Sequence, residues 1–230
     1  MSPAQAVVGA SAQGARHADE IVMILTKGRL GSSFCTGIVL SPTMLLTAAH
    51  CVETPADTAA LTHRADGSPE LHAVAAIVRH PLFRADAVTA RKMSIDVALV
   101  RLSQPLDRSF RAAPLADEAH PAVGDAVSLE GFGVAAPGDV KSGGTLRSAD
   151  LKVRAPLSAH LLWADGGGAR AGACSGDSGA PIFAVDGALL AIVAWADGGD
   201  ARGCGGVTQG PLIAPLRDWI LAAMAGSAGR

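Results

Sequence analysis

Cys174-Ser175-Gly176-Asp177-Ser178-Gly179-Ala180-Pro181 sets a small hydroxyl next to a carboxylate, between two glycines and four residues past a cysteine. A serine so placed can expose its Oγ while the backbone N–H groups of Gly176 and Ser178 point the same way. That geometry suits an oxyanion hole, often the largest single contribution to acyl-transfer catalysis. A serine hydroxyl is a weak nucleophile until an adjacent base takes its proton. The stretch therefore requires a histidine and an orienting carboxylate elsewhere in the chain.

Both are present upstream. Thr47-Ala48-Ala49-His50-Cys51 offers a histidine beside a second cysteine, after the apolar runs Ile38-Val39-Leu40 and Met44-Leu45-Leu46. Ser94-Ile95-Asp96-Val97-Ala98-Leu99-Val100 offers an aspartate that opens an apolar, strand-like run. A carboxylate drawn toward the interior needs a specific partner, and an imidazole N–H would satisfy it and fix the ring's tautomer. Asp86, the nearest rival, lies in a polar stretch with no apolar strand after it. The chain order is His50, Asp96, Ser178, as in chymotrypsin and unlike subtilisin or the α/β-hydrolases. With these three motifs the chain resembles the chymotrypsin/trypsin-like serine peptidases, in a small bacterial-type form. Phe34-Cys35-Thr36-Gly37 is similar to the family's first cysteine strand, with Thr36 where glycine is commoner. Gly131-Phe132-Gly133 resembles its G-W-G segment, Thr145-Leu146-Arg147 the strand that follows, and Ile192-Val193-Ala194-Trp195-Ala196 the strand lining the cleft.

The resemblance implies an all-β fold of two six-stranded antiparallel β-barrels with a C-terminal helix and an active site in the cleft between them. Short β-rich runs between turn residues agree with a barrel or sandwich protein: 21–25, 33–40, 44–47, 71–78, 97–102, 126–131, 145–153, 181–185 and 188–195. The stretch from Gln104 to Val123, rich in Pro, Ala and charge, reads as a linker. The expected division is 7–106 for a first barrel carrying His50 and Asp96, and 107–230 for a second barrel and helix carrying Ser178. Leu216, Trp219, Ile220 and Met224 fall on one face of a helix over 215–224, with Gly226 just after it and the apolar stripe packed on the second barrel. The catalytic assignment is Ser178 as nucleophile, His50 as base, Asp96 as orienting carboxylate, and the amides of Gly176 and Ser178 as oxyanion hole.

Four cysteines allow three pairings. The resemblance selects Cys35–Cys51, which would staple the loop carrying His50, and Cys174–Cys204, which would close the pocket wall beside Ser178. Each closure is worth roughly 3–4 kcal/mol in the chain-entropy model. Disulfides imply an oxidising compartment, so the expected location is secreted or periplasmic. Neither a C-x-x-C nor a His-rich cluster marks a metal site, and neither cofactor nor metal is expected. A net charge of −2 and a pI near 6.4 give no electrostatic reason to expect nucleic acid or an anionic membrane as partner. No apolar run is long enough to span a bilayer. The expected partners are a polypeptide substrate and a protein inhibitor, with the chain itself a monomer.

Ala4-Gln5-Ala6 is an A-x-A-like pattern of the kind found before a signal-peptidase cut, so residues 1–6 read as a residual signal segment. Cutting there would leave Val7-Val8-Gly9-Ala10, which resembles the I-V-G-G terminus of the active family. By resemblance the Val7 amine would pair with Asp177, and the chain starting at Met1 would be poorly active. The pocket residues implied are Gly172, Ala173, Ala194, Trp195, Ala196 and Gly206. Gly172 stands where trypsin-like members carry a carboxylate, so the expected P1 preference is small-to-medium and apolar. Asp197 or Asp200 in the adjacent loop is the competing source of a basic preference. Ala194 stands where a serine usually bonds the triad aspartate. Two other classes compete: a catalytically weak or inactive homologue acting as a binding protein, and an α/β-hydrolase esterase. The esterase would need G-x-S-x-G, and residue 180 is alanine.

Overall fold

The computed structural model describes residues 15–28, 31–87, 93–117, 121–167, 171–198 and 204–227. In the first half, β1 (Ile21–Gly28), β2 (Gly31–Ser41), β3 (Met44–Thr47), β4 (Thr58–His63), β5 (Pro69–Arg79) and β6 (Ala98–Leu102) close into a barrel in the order β1-β2-β3-β6-β5-β4. Every pairing in it is antiparallel. Successive side chains of a strand point to opposite faces, and here both faces are apolar. Val22, Ile24, Val39, Leu45, Ala98 and Val100 fill the barrel interior. Their alternates Ile21, Ile38, Leu40, Met44, Leu46, Val97 and Leu99 pack outward into a second cluster. That cluster contains Phe183, Leu189, Ile192 and Ile213 of the second half, so the two halves adhere through a core of their own.

The second half holds β7 (Ala126–Gly131), β8 (Arg147–Val153), β9 (Leu161–Asp165), β10 (Pro181–Ala184), β11 (Leu189–Ile192), β12 (Trp195–Asp197) and β13 (Val207–Pro211). They form one sheet in the order β11-β10-β7-β8-β9-β13-β12. The expected long strand 188–195 is split, because the chain changes partners in its middle. Val193 N–H still donates to Ala180 on the β10 side, while Ala194 N–H donates to Gln209 in β13. Together with the Ala191–Leu212 bridge, this rolls the sheet back on itself. Counting β11 and β12 as one interrupted strand, the second half is the second six-stranded barrel. Its interior is Leu129, Leu151, Leu162, Ile182, Ala191 and Val193.

The structure adds detail to the connecting stretch and changes the helix expectation. The stretch 104–123 is fastened to both halves where it is described: Ala113 N–H donates to Val39 of the first, while Ala116 N–H donates to Leu189 of the second and Leu189 N–H donates to Pro114. The C-terminal helix α1 runs Arg217–Ser227 after a 3₁₀ turn Ala214–Leu216, so Gly226 lies inside it. Buried Leu216 of the turn and Ile220 of the helix join the inter-barrel cluster beside Val97 and Leu99, and Trp219 meets His80 edge-on at 4.7 Å. The helix clasps both barrels, where the sequence placed it on the second alone. No helix among the described residues is long and apolar enough to cross a membrane.

Candidate active site

His50 sits in the 3₁₀ turn Ala49–Cys51 just past β3. Ala48 and Ala49 are fully buried, which lets the turn lie flat against the barrel, and the Cys35–Cys51 disulfide ties it to β2. Asp96 stands immediately before β6, between buried Ile95 and Val97. Its carboxylate accepts two hydrogen bonds, from His50 N–H at 2.9 Å and from His50 Nδ1 at 2.5 Å. A donor at Nδ1 leaves Nε2 as the acceptor of the neutral ring, directed away from the carboxylate. Both bonds come from His50 and neither from Ala194. Asp86 lies exposed in the loop after β5, and the carboxylate on His50 is that of Asp96.

Ser178 belongs to a tight loop ahead of β10. Gly176 (φ +96°) and Gly179 (φ +80°) take left-handed conformations that favour glycine. A Cβ on Gly179 would also overlap Thr36 O and Thr47 Oγ1. The Ser178 carbonyl accepts from Thr36 N–H at 2.9 Å and lies 3.8 Å from Cys51 Sγ, so the serine is seated against the turn that carries His50. No hydrogen bond joins Ser178 Oγ to His50 among the described residues. Resting catalytic pairs are often this loose before substrate binds.

Asp177 is wholly buried. Its carboxylate accepts from Gly133 N–H at 2.8 Å and from Cys174 N–H at 2.9 Å. It lies so close to Gly131 and Gly133 that a Cβ on either would overlap it, which is why the G-F-G segment needs both glycines. Burial pushes this carboxyl from the ordinary aspartate range up to about 7, against the opposing pull of the two amides and of Arg147. The expected partner, Val7, lies outside the described residues, as does the 1–6 segment.

Two adjoining clefts flank the site, the smaller against Ser178 and the larger against His50 and Asp96. The smaller, about 210 Å³, is bounded by Ser178, Val193, Ala194, Trp195, Ala196 and the Cys174–Cys204 disulfide. The larger, about 830 Å³, runs past His50 and Asp96 to Met93, Leu161 and Pro211. They share Ala194 and Trp195, so Ser178 on the one side and His50 and Asp96 on the other border neighbouring clefts. Gly172, Ala173 and Gly206, the other pocket residues expected from the sequence, stand outside the lining of the smaller cleft. Ala173 N–H donates to Thr208 Oγ1 at 2.9 Å, and a Cβ on Gly172 would stand 2.9 Å from Gly206 O. The backbones of Gly172 and Gly206 lie close together, and none of these residues carries charge. Asp197 lies in β12 away from this lining, and Asp200 is outside the described residues. Sequence reasoning missed Thr208, which no motif marks.

Cys35, His50 and Cys51 present donor atoms within 4.8 Å of one another, but both sulfurs are held in the disulfide and offer no thiolate to a metal.

The sequence model of the Trypsin family matches residues 7–220. The chain is 30% identical over 181 residues to a trypsin of Simulium vittatum, covering 69% of each chain. It is 28% identical over 207 residues to trypsin delta of Drosophila erecta, covering 84% of this chain and 79% of the relative. Among solved structures, the scabies mite inactivated protease paralogue S-I1 superposes with a TM-score of 0.76 at 24% identity, over 95% of this chain and 99% of that one, a likeness of fold alone. With its fold, its two disulfides and this match over most of its length, the chain belongs to the trypsin family and is a serine endopeptidase.

Proposed function

We propose that Ser178 attacks the carbonyl carbon of a peptide bond while His50 Nε2 takes its proton. Asp96 holds the ring and stabilises the imidazolium, and the amides of Gly176 and Ser178 receive the oxyanion. His50 then protonates the leaving amine, and water activated by the same nitrogen hydrolyses the acyl-enzyme. The observation that carries this reading is the pair of hydrogen bonds from His50 to Asp96, which leaves the Nε2 acceptor free beside the cleft that adjoins the one Ser178 borders.

The substrate is a polypeptide with a small-to-medium apolar P1 side chain. The small cleft and the absence of charge among its lining residues support that preference. A buried Asp177 with only amide donors among the described residues supports pairing with the Val7 amine as the activating step. Two disulfides support action in a secreted or periplasmic setting. The site draws on two units, 7–106 and 107–230, and assembles when they dock.

A P1-varied peptide library tests the proposal. Cleavage after Ala, Val or Leu should exceed cleavage after Arg or Lys, and Ser178→Ala should abolish it. A dominant Arg/Lys preference would refute the pocket reading, and turnover by Ser178→Ala at the wild-type rate would refute the nucleophile.

A further inference from the structure

Thr36 is the residue by which this chain departs from the glycine common at that place, and it is fully buried. It lies on the β2 face that also carries Ile38 and Leu40, which pack against the second half. A buried hydroxyl has one proton to donate and lone pairs to accept with, and both need partners. Thr36 Oγ1 donates to Gly176 O at 3.0 Å and accepts from Phe132 N–H at 3.1 Å. Its backbone N–H donates to Ser178 O at 2.9 Å, and its carbonyl accepts from Thr47 Oγ1 at 2.8 Å. Every polar group of this residue is engaged, and three of these four hydrogen bonds reach the second half.

Building on the reading that Gly176 N–H is an oxyanion donor, we infer that the Thr36 hydroxyl is a positioning residue for the oxyanion hole. Gly176 sits at φ +96°, where the lack of a Cβ lets the peptide planes on either side turn at little cost. Anchoring its carbonyl removes much of that freedom and narrows the directions in which its N–H can point. The same hydroxyl binds the Gly131–Gly133 segment through Phe132 N–H, and that segment lies against Asp177. One oxygen therefore links the lining of the buried acid to the donor loop. A glycine could supply the two backbone bonds of Thr36, but not these two.

The test compares Thr36→Val, Thr36→Gly and Thr36→Ser in the chain starting at Val7, using an alanine-P1 peptide anilide and a peptidyl trifluoromethyl ketone. Thr36→Val keeps the shape and removes the hydroxyl; kcat should fall about tenfold or more with KM changed less than about twofold, because only transition-state stabilisation is lost. Affinity for the ketone, whose adduct carries an oxyanion, should fall in parallel with kcat. Thr36→Gly should show the same split even if the valine variant fails to fold, and Thr36→Ser should restore kcat to within about threefold. A kcat in Thr36→Gly equal to wild type, a serine variant as impaired as the valine one, or a loss confined to KM would overturn the inference. Wild-type turnover that resists an active-serine phosphonate would instead sink the underlying reading, and this inference with it.

Discussion

The histidine side of the site and the serine side are held in different ways. His50 and Asp96 belong to one barrel. They are tied by two direct hydrogen bonds, stapled by Cys35–Cys51 and flanked by buried Ala49, Ile95 and Val97. Ser178 stands in a loop of the other barrel. It is held by a bond from Thr36 across the interface and sits next to a buried carboxylate whose preferred state at neutral pH is finely balanced. On the proposed roles, the base is assembled by local folding, whereas the nucleophile depends on docking and on the state of Asp177.

The largest expected effect breaks the self-contained side. Asp96→Asn keeps the shape but favours the wrong tautomer of His50, so kcat should fall about 10⁴-fold with the melting temperature nearly unchanged. Steady-state kinetics beside thermal melts check this. A loss below about tenfold would show that Asp96 does not orient the ring.

The next effect sharpens the conditional side. Where no amine meets Asp177, the native state holds a proton up to about pH 7, which the unfolded chain releases in the ordinary aspartate range. Between those values the native state binds more protons, so stability is greatest at low pH and falls as pH rises toward about 7. The full loss is on the order of 4 kcal/mol. A chain starting at Val7, with its amine paired to Asp177, should lack this decline, and Asp177→Asn should flatten it in the longer chain. Denaturant titrations of the three proteins from pH 4.5 to 8 provide the check. Parallel curves for the Met1- and Val7-started chains would contradict the pairing.

The same asymmetry shows in what the sequence revealed. Strands with branched apolar runs, such as β2, β3 and β6, were legible, because both of their faces are buried. β4, Thr-Ala-Ala-Leu-Thr-His, was not: its inward residues are Thr58, Ala60 and Thr62, which make no apolar alternation. β9 presents Leu161, Leu162 and Trp163 in succession, and β13 contains a glycine pressed against the Ile192 backbone. In both, the periodic signal is lost. The His50 and Asp96 motifs could be read because each is a short local pattern. The Thr36 to Gly176 bond joins residues 140 apart in sequence, and no local pattern announces it. The approach of Gly172 to Gly206 was hidden for the same reason, since it is a meeting of two backbones.

The central claim is that these two differently held sides converge on one activated serine. Active-site titration of the Val7-started chain with a fluorophosphonate, followed by peptide mass analysis, tests it most directly. The account predicts about one label per chain, located on Ser178 and lost in both Ser178→Ala and His50→Ala. A label on another serine, or undiminished labelling in His50→Ala, would contradict it.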